Sequence, residues 1–400
     1  MAAWFKKLGM PGWLVLMGAV TAIGPVSVDM YLPAFPSIAV SLGATSGEVE
    51  RTLAVYLAGM ALAQVIYGPL TDRYGRKPPL FAGLTLYMVA SAGCALAQSV
   101  EMLTVCRLAQ AMGGAAGMVI PRAVIRDHFE TQEAARALSM LMLIMGVAPI
   151  LAPLVGGQIL LFTGWRGTFV FMTLGALALI VMASRLMTES LKPDRVIPLS
   201  AGNILRTYGI LLRDRRFCAY ALSGGMGSAG MFGYIVASPR VFIEHFGVTP
   251  QSYGLLFGLN AACLIIGSQI NARLLRDRRP EQILPWALRA MLTAGLTSLA
   301  LATLGLTTLP VMVVCLMAFL CSQGFVNPNS AAMALNEHGR HLGSASAMLG
   351  TIIISCGALS GLLVSLWQSD SALPLSVVLG ICGSLAWLAG RIARRTCSNP

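Results

Sequence analysis

The segment LAVYLAGMALAQVIYGPLTDRYGRKPPL, residues 53–80, joins a long uncharged run to a short basic loop. An α-helix of about 20 apolar residues crosses the hydrocarbon core of a bilayer. Similar runs recur along all 400 residues, of which 56% are hydrophobic and only 11% are charged. Soluble domains carry about 25% charged residues. The chain is therefore predicted to be an all-α integral membrane protein without a separate soluble domain.

Twelve transmembrane helices are predicted, called spans 1–12 in chain order. Their bounds are 12–33, 49–71, 78–97, 101–126, 134–160, 165–187, 216–244, 251–273, 282–303, 309–335, 343–367 and 373–395. A basic connection, 188–215, separates a bundle within 1–187 from a bundle within 216–400. Pro33 and Pro239 repeat at nearly the same offset as Pro121 and Pro328. This predicts two six-helix pseudo-repeats with substrate held between them, although coincidental prolines remain an alternative.

The basic residues favour one face of the predicted membrane domain. All but six of the 28 Lys and Arg residues fall in loops or tails on that face. The exceptions are Arg51, Arg107, Arg122, Arg166, Arg240 and Arg289. This positive-inside pattern predicts a multi-pass inner-membrane protein with both termini in the cytoplasm. It also accounts for the net charge of +12 without nucleic acid as a partner.

The loop after span 2 reads GPLTDRYGRKPPL and closely resembles a cytoplasmic signature of the major facilitator superfamily, G-x-L-x-D-R-x-G-R-K. Its glycines are expected to permit a close approach and a turn, and its aspartate to accept N–H groups at the start of span 11. The resemblance implies a conformational latch on the cytoplasmic side. The predicted latch residues are Gly68, Asp72, Arg73, Gly75 and Arg76, with Asp127 as the partner of Arg76. The alternative is ordinary positive-inside charge beside a turn glycine.

Asp29, in VDMYLPAFP near the end of span 1, is expected to be the only acidic residue well inside a span. Burying an aspartate in a membrane costs about 2.5–3.5 kcal/mol, so such a residue is usually functional. Arg107 is expected at a similar depth, in the outer third of span 4, and begins RLAQAMGGAAG, which resembles a second signature of the superfamily, with Ala111 at a usual glycine. The two residues are predicted to couple proton binding to substrate binding. An interfacial carboxylate and a static ion pair remain alternatives.

Span 5 contains GVAPILAPLVGG, residues 146–157, which resembles the signature that separates antiporters from symporters in this superfamily. The predicted antiporter residues are Gly146, Pro149, Pro153, Gly156 and Gly157, and Ala152 replaces a usual glycine. Together with GWRGTFVFM and SAGMFGYIVASPRVFIE, these motifs resemble the twelve-helix drug:proton antiporters. The closest resemblance is to their bicyclomycin and chloramphenicol resistance branch (Bcr/CflA).

The resemblance implies a secondary active exporter that exchanges drug-like small molecules for protons by alternating access, and the chain is expected to function as a monomer. No enzymatic activity, cofactor or metal is expected. Candidate residues of the substrate cavity are Tyr31, Tyr56, Gln64, Gln110, Phe232, Tyr234, Arg240, Asn260 and Asn327. An exporter of one metabolite such as an amino acid or dipeptide, a nutrient symporter, and a membrane receptor or scaffold remain alternatives. An ATP-driven pump is disfavoured because the sequence contains no GxxxxGK[ST] segment.

Overall fold

A computed structural model describes residues 12–129, 131–191, 208–336, 342–367 and 369–395. Its long helices are α1 (Gly12–Asp29), α2 (Phe35–Leu42), α3 (Ser46–Tyr74), α4 (Lys77–Ala95), α5 (Val100–Gly114), α6 (Ala116–His128), α7 (Thr131–Leu186), α8 (Arg215–Pro239), α9 (Pro250–Leu274), α10 (Pro280–Thr303), α11 (Leu309–Leu335), α12 (Leu342–Leu366) and α13 (Leu373–Arg395). A 3-10 turn, Leu32–Ala34, joins α1 to α2, and a π-helical turn, Arg240–His245, extends α8.

The predicted all-α membrane architecture is confirmed. Ten segments within the described ranges are long and apolar enough to cross a membrane. One of them, Leu143–Leu186, breaks at Gly164, where φ is 69° and ψ is −175°. This glycine conformation separates predicted spans 5 and 6 within α7. Helix α8, with 25 residues, is not among the ten and corresponds to span 7. The helices are thus consistent with the twelve predicted spans.

Span 1 is longer than predicted. Its membrane-length stretch is Gly12–Leu42, and it is interrupted after Asp29. Proline lacks an N–H group, so Pro33 cannot donate to the carbonyl of Asp29 as a helix would require. The chain passes through a 3-10 turn before α2 begins. The prediction ended span 1 at Pro33, and so placed Asp29 in the outer third instead of near the middle of this stretch.

Contacts divide the chain into two compact units. The first unit contains residues 1–44 and 59–199, and the second contains residues 45–58 and 200–400. The beginning of α3 therefore groups with the second unit, and its remainder with the first. The domain boundaries at 187 and 216 stay a prediction, and residues 192–207 of the predicted linker lie outside the described residues.

Small residues bring helix backbones together within each unit. In the first unit, α1 packs against α7 and α6, and Gly117 of α6 lies against the carbonyl oxygen of Val20. In the second unit, α8 packs against α11, α12 and α13, and α9 packs against α11. There, Gly267 of α9 lies against the carbonyl oxygen of Cys321. Such approaches are typical of membrane helices, whose association depends on van der Waals packing.

Replacing Gly267 with alanine is expected to destabilise the second unit. The added Cβ would collide with the backbone carbonyl of Cys321, which cannot rotate away as a side chain can. Overpacking of this kind costs about 1–3 kcal/mol. The measurement is the thermal unfolding midpoint of the purified protein in detergent. Gly175→Ala is the matched control, because nothing described lies within 4 Å of a Cβ at that position of α7. Equal midpoints for both variants would contradict the close-packing argument.

Candidate functional site

Arg107 of α5 is completely buried and is held by groups from three parts of the first unit. Its Nη1 donates to the carbonyl oxygen of Ser27 at 3.0 Å and to Oε1 of Gln110 at 2.6 Å. Its guanidinium lies 4.6 Å from the ring centroid of Tyr31 and 5.9 Å from that of Phe169. Cation–π contacts of this kind gain strength where water is excluded. The arginine is therefore anchored to the end of α1.

Asp29 lies between Ser27 and Tyr31 in sequence and is 3% exposed. It is the last residue of α1, so the Arg107 contacts fall on the residues two before and two after it. Asp29 and Arg107, which sequence reasoning placed together, thus belong to one buried region of the first unit. A direct contact between their side chains stays a prediction.

A polar network extends from this region to α4. The Ser27 hydroxyl lies 2.6 Å from that of Tyr87 and also donates to the carbonyl of Ile23. On the other side, Nε2 of Gln110 donates to the Ser91 hydroxyl at 2.7 Å. Ser91 in turn donates to the Tyr87 carbonyl oxygen at 2.7 Å. The amide of Gln110, a predicted cavity residue, therefore connects Arg107 to α4, the helix whose Tyr87 hydroxyl contacts Ser27.

The predicted antiporter motif meets α1 beside Asp29. Gly156 of α7 is buried, and a Cβ at this position would lie against the carbonyl oxygen of Met30. Pro153 and Gly157 are also buried, whereas Gly146 and Pro149 are partly exposed. Three segments predicted separately, around Asp29, Arg107 and Gly156, therefore meet at residues 27–31, which are called the α1 junction below.

A second polar site, the loop cluster, consists of Asp72, Arg76, Asp127, Glu189 and Ser190. Nε of Arg76 donates to Oδ2 of Asp127 at 2.9 Å, so the predicted partner is present. Nη1 of Arg76 also donates to Oδ1 of Asp72 at 2.8 Å. The side chains of Arg76 and Asp127 are 8% and 11% exposed, whereas that of Asp72 is 46% exposed. Arg76 thus ties the end of α3 to the end of α6.

The glycines of this loop differ from each other. Gly75 has φ of 88°, a backbone conformation that L side chains rarely adopt, and it forms the expected turn between α3 and α4. Gly68 lies inside α3, and nothing described lies within 4 Å of a Cβ there. A close approach at Gly68 is therefore not present in the described part of the chain. Arg73 is exposed and lies over the ring of Tyr74.

Glu189, just after α7, was missed by sequence reasoning. Its carboxylate accepts the backbone N–H groups of Arg76 and Lys77 at 2.8 and 3.0 Å, and so caps the start of α4. Burial opposes the charged form, but these bonds and those from the N–H groups of Leu191 and Ser190 hold the pKa of Glu189 below its usual value. A carboxylate favours the N-terminal end of a helix dipole.

Ser190 completes the loop cluster by donating its hydroxyl to Oδ2 of Asp127 at 2.8 Å. A Cβ at Gly75 would also collide with the Glu189 carboxylate, so the glycine is required for space as well as for its φ angle. The sequence signal for Glu189 and Ser190 was weak, because MTESLKPD is typical of the start of a solvent-exposed loop. Only the unfilled N-terminus of α4 could have indicated a capping partner.

The remaining predicted cavity residues divide between the two units. Tyr31, Gln64 and Gln110 belong to the first unit, and Tyr56, Phe232, Tyr234, Arg240, Asn260 and Asn327 belong to the second. In the second unit, Nδ2 of Asn260 donates to the Tyr234 hydroxyl at 3.1 Å. The Tyr234 ring stacks on Phe257 at a centroid distance of 5.6 Å. The role of these residues in binding substrate stays a prediction.

Asp29 is not the only buried acidic residue within a predicted span. Glu50 of α3 is 0% exposed, and its Oε1 lies 3.0 Å from Nε of Arg240. Sequence reasoning missed Glu50 because it stands in the first turns of its helix, where a carboxylate ordinarily faces water. The available signal was Arg240, a cation within a predicted span that lacked an assigned partner.

No group of three or more His, Cys, Asp or Glu side chains in the described ranges could hold a metal ion.

A family model described as Major Facilitator Superfamily matches residues 17–362. The chain is 35% identical over 383 residues to an uncharacterized MFS-type transporter, YdgK, of Bacillus subtilis, covering 93% of each chain. It is 28% identical to a bicyclomycin resistance protein homolog of Haemophilus influenzae, covering 94% of each. It is 27% identical to a chloramphenicol resistance protein of Pseudomonas aeruginosa, covering 91% of this chain and 86% of that protein.

Solved structures share the fold at low sequence identity. The peptide transporter POT in complex with sulfate matches with a TM-score of 0.76 and 15% identity, covering 97% of this chain and 95% of that one. A D-xylose-proton symporter matches with a TM-score of 0.70 and 13% identity, covering 96% of each chain. The fold, the family model and the relatives agree with the resemblance drawn from the motifs: the chain belongs to the major facilitator superfamily and is a multi-pass membrane protein.

Proposed function

We propose that this chain exports drug-like small molecules in exchange for protons. It acts as a monomer in the bacterial inner membrane with both termini in the cytoplasm. The names of two relatives, a bicyclomycin resistance protein homolog and a chloramphenicol resistance protein, support this substrate class. The placement of most Lys and Arg residues supports the orientation.

The observation that carries the proposal is the meeting of three motifs at the α1 junction. A buried acid, Asp29, a buried cation, Arg107, and the tightly packed Gly156 all contact or belong to residues 27–31. A carboxyl that binds and releases a proton there can change the charge beside Arg107 and alter the packing of α1 against α7. Proton binding and helix movement are thereby coupled at one place.

Asp29 is the proposed proton carrier. Burial disfavours its charged form, and its place at the end of α1 puts it near the negative pole of the helix dipole. The Asp29 carboxyl would be neutral until the Arg107 guanidinium approaches, and would then ionise. Proton release would therefore alternate with movement of the guanidinium. One proton crossing 100 mV supplies about 2.3 kcal/mol, which is roughly a fifty-fold gradient of a neutral substrate.

The loop cluster is the proposed conformational latch. Arg76 links α3 to α6, and Glu189 links the end of α7 to the start of α4. These contacts hold four helix ends of the first unit together. The latch would therefore be a rigid part of this unit, and Asp72, whose side chain is 46% exposed, lies at its edge.

Asp29→Asn is expected to abolish proton-driven efflux while the protein remains folded, because asparagine fills the same volume but its amide does not ionise. The measurement is efflux of a panel of antibiotics from cells, with and without an uncoupler. Glu101→Gln, which neutralises an exposed carboxylate at the start of α5, is the matched control and should export normally. Uncoupler-sensitive efflux by Asp29→Asn at the control's rate would exclude Asp29 as the proton carrier.

Arg107 is expected to respond to the protonation state of Asp29. Substrate binding should release protons from the parent protein, and fewer or none from Asp29→Asn. Arg107→Lys should also change the release, because lysine keeps the charge but loses the planar fork that serves several acceptors. Protons can be followed with an indicator dye in weakly buffered detergent solution. If both variants release protons as the parent does, the Asp29–Arg107 region is structural only.

Glu189→Gln is expected to lower the thermal unfolding midpoint near neutral pH. The folded-state pKa of Glu189 is depressed, so its charge stabilises the protein above the unfolded-state pKa, and this contribution is lost as pH falls through the folded-state pKa. The difference in midpoint between parent and variant should therefore shrink in acid. Glu133→Gln, at an exposed carboxylate in the first turn of α7, is the control. A difference that is independent of pH would contradict the capping role of the charge.

A further inference from the structure

Glu50 and Arg240 form a buried ion pair that lies within the second unit and belongs to none of the motifs assigned above. The Glu50 side chain is 0% exposed and that of Arg240 is 8% exposed. Nη2 of Arg240 also donates to the carbonyl oxygen of Val364 in α12 at 3.3 Å. The pair therefore connects α3, the π-helical turn after α8, and α12.

The carboxylate of Glu50 is poorly satisfied. Neither of its oxygens has a hydrogen-bond partner among the described residues, although Oε1 lies 3.0 Å from Nε of Arg240. A buried carboxylate that is satisfied only by a single charge is stable while that charge remains in place. If the carboxylate binds a proton, the attraction is lost, and Arg240 becomes a buried cation whose remaining acceptor among the described residues is the Val364 carbonyl.

The other ionisable groups near the pair are few and are otherwise engaged. Glu244, in the same π-helical turn as Arg240, is exposed, and both its carboxylate oxygens accept the Ser46 hydroxyl at 2.8 Å. Arg51 is exposed and Glu48 is partly exposed on α3, where the Glu48 carboxylate accepts from Thr45, and His245 is exposed beside Phe246. Helix α12 carries no Asp, Glu, Lys, Arg or His, and its only ionisable side chain is Cys356. In α9, the hydroxyl of Tyr253 is bonded to Ser238.

We propose that Glu50 is a second proton-binding site, and that its protonation releases the Ser46–Ala58 part of α3 from Arg240. The ligand is a proton, the reaction converts a carboxylate to a neutral carboxyl, and no bond other than O–H is formed. Asp29 and Glu50 would then be two proton sites, one in each unit.

The position of Glu50 in α3 gives this site a route to the rest of the molecule. Helix α3 runs without interruption from Ser46 to Tyr74, and its residues from Gly59 onward group with the first unit. Glu50 and Asp72 are 22 residues apart on this one helix, or about 33 Å at 1.5 Å per residue. A change in how the beginning of α3 is held would therefore act on the element that ends at the loop cluster.

The contact between Ser46 and Glu244 offers a direct reporter for this inference. Cysteines introduced as Ser46→Cys and Glu244→Cys should form a disulfide while α3 lies against the π-helical turn. Peptide mass spectrometry identifies the 46–244 bond separately from bonds of the native cysteines. Oxidation is carried out across pH without substrate, so the outcome is independent of whether the protein exports drugs. Thiol ionisation affects every variant equally, so each yield is expressed relative to Glu50→Gln at the same pH.

The parent double-cysteine protein should cross-link several-fold more than Glu50→Gln at alkaline pH, and equally in acid, because glutamine imitates the protonated carboxyl. Glu48→Gln, on the same helix but only partly buried, should follow the parent. Glu50→Gln/Arg240→Gln carries no charge at either position of the pair and should cross-link well at every pH, which also shows that the neutral pair folds. A parent-to-Glu50→Gln ratio that does not change with pH would overturn the proposal, as would an acid-induced loss of cross-linking in the double variant.

Discussion

A guanidinium without access to water, that of Arg107, is the constraint around which the polar part of the first unit is arranged. The last four carbonyls of an α-helix have no partner within the helix. Because Pro33 interrupts span 1, α1 ends at Asp29, and the Ser27 carbonyl is one of these four. Arg107 donates to that carbonyl. The Ser27 carbonyl at the end of α1 and the buried Arg107 guanidinium therefore satisfy each other as acceptor and donor. Their hydrogen bond fixes the depth at which α5 meets α1.

The same interruption explains the glycine of the antiporter motif. Past Asp29 the chain leaves the α-helical path, and the Met30 carbonyl faces α7 at a position where even a Cβ would not fit. Gly156 is therefore a steric requirement of the α1 junction rather than a general packing residue. Pro33 of DMYLPAFP and Gly156 of APLVGG thus both contribute to one contact, although 123 residues separate them in sequence.

Local patterns predicted most of the fold, because a membrane helix must satisfy its backbone internally and so has a recognisable length and composition. The Arg76–Asp127 pair was predictable because both residues lie beside helix ends on one face. The greater length of span 1 was not predictable, since a proline can interrupt a span without ending it. Glu189 and Glu50 were missed because each is defined by a partner that is distant in sequence, the N-terminus of α4 and Arg240 respectively.

The distribution of charge suggests how a small proton energy could move large helices. A single proton contributes only a few kcal/mol, whereas leaving one member of a buried ion pair without its partner costs about 3–5 kcal/mol. Protein interiors are close-packed, so such a change is relieved by a shift between discrete packings rather than by gradual deformation. Arg240 is buried and paired with the buried carboxylate of Glu50, whereas Arg107 is buried and contacts Ser27 and Tyr31, on either side of the buried Asp29 in sequence. Neutralising Glu50 would leave Arg240 uncompensated and would therefore favour a new helix packing in the second unit, with the free energy of proton binding supplying the cost.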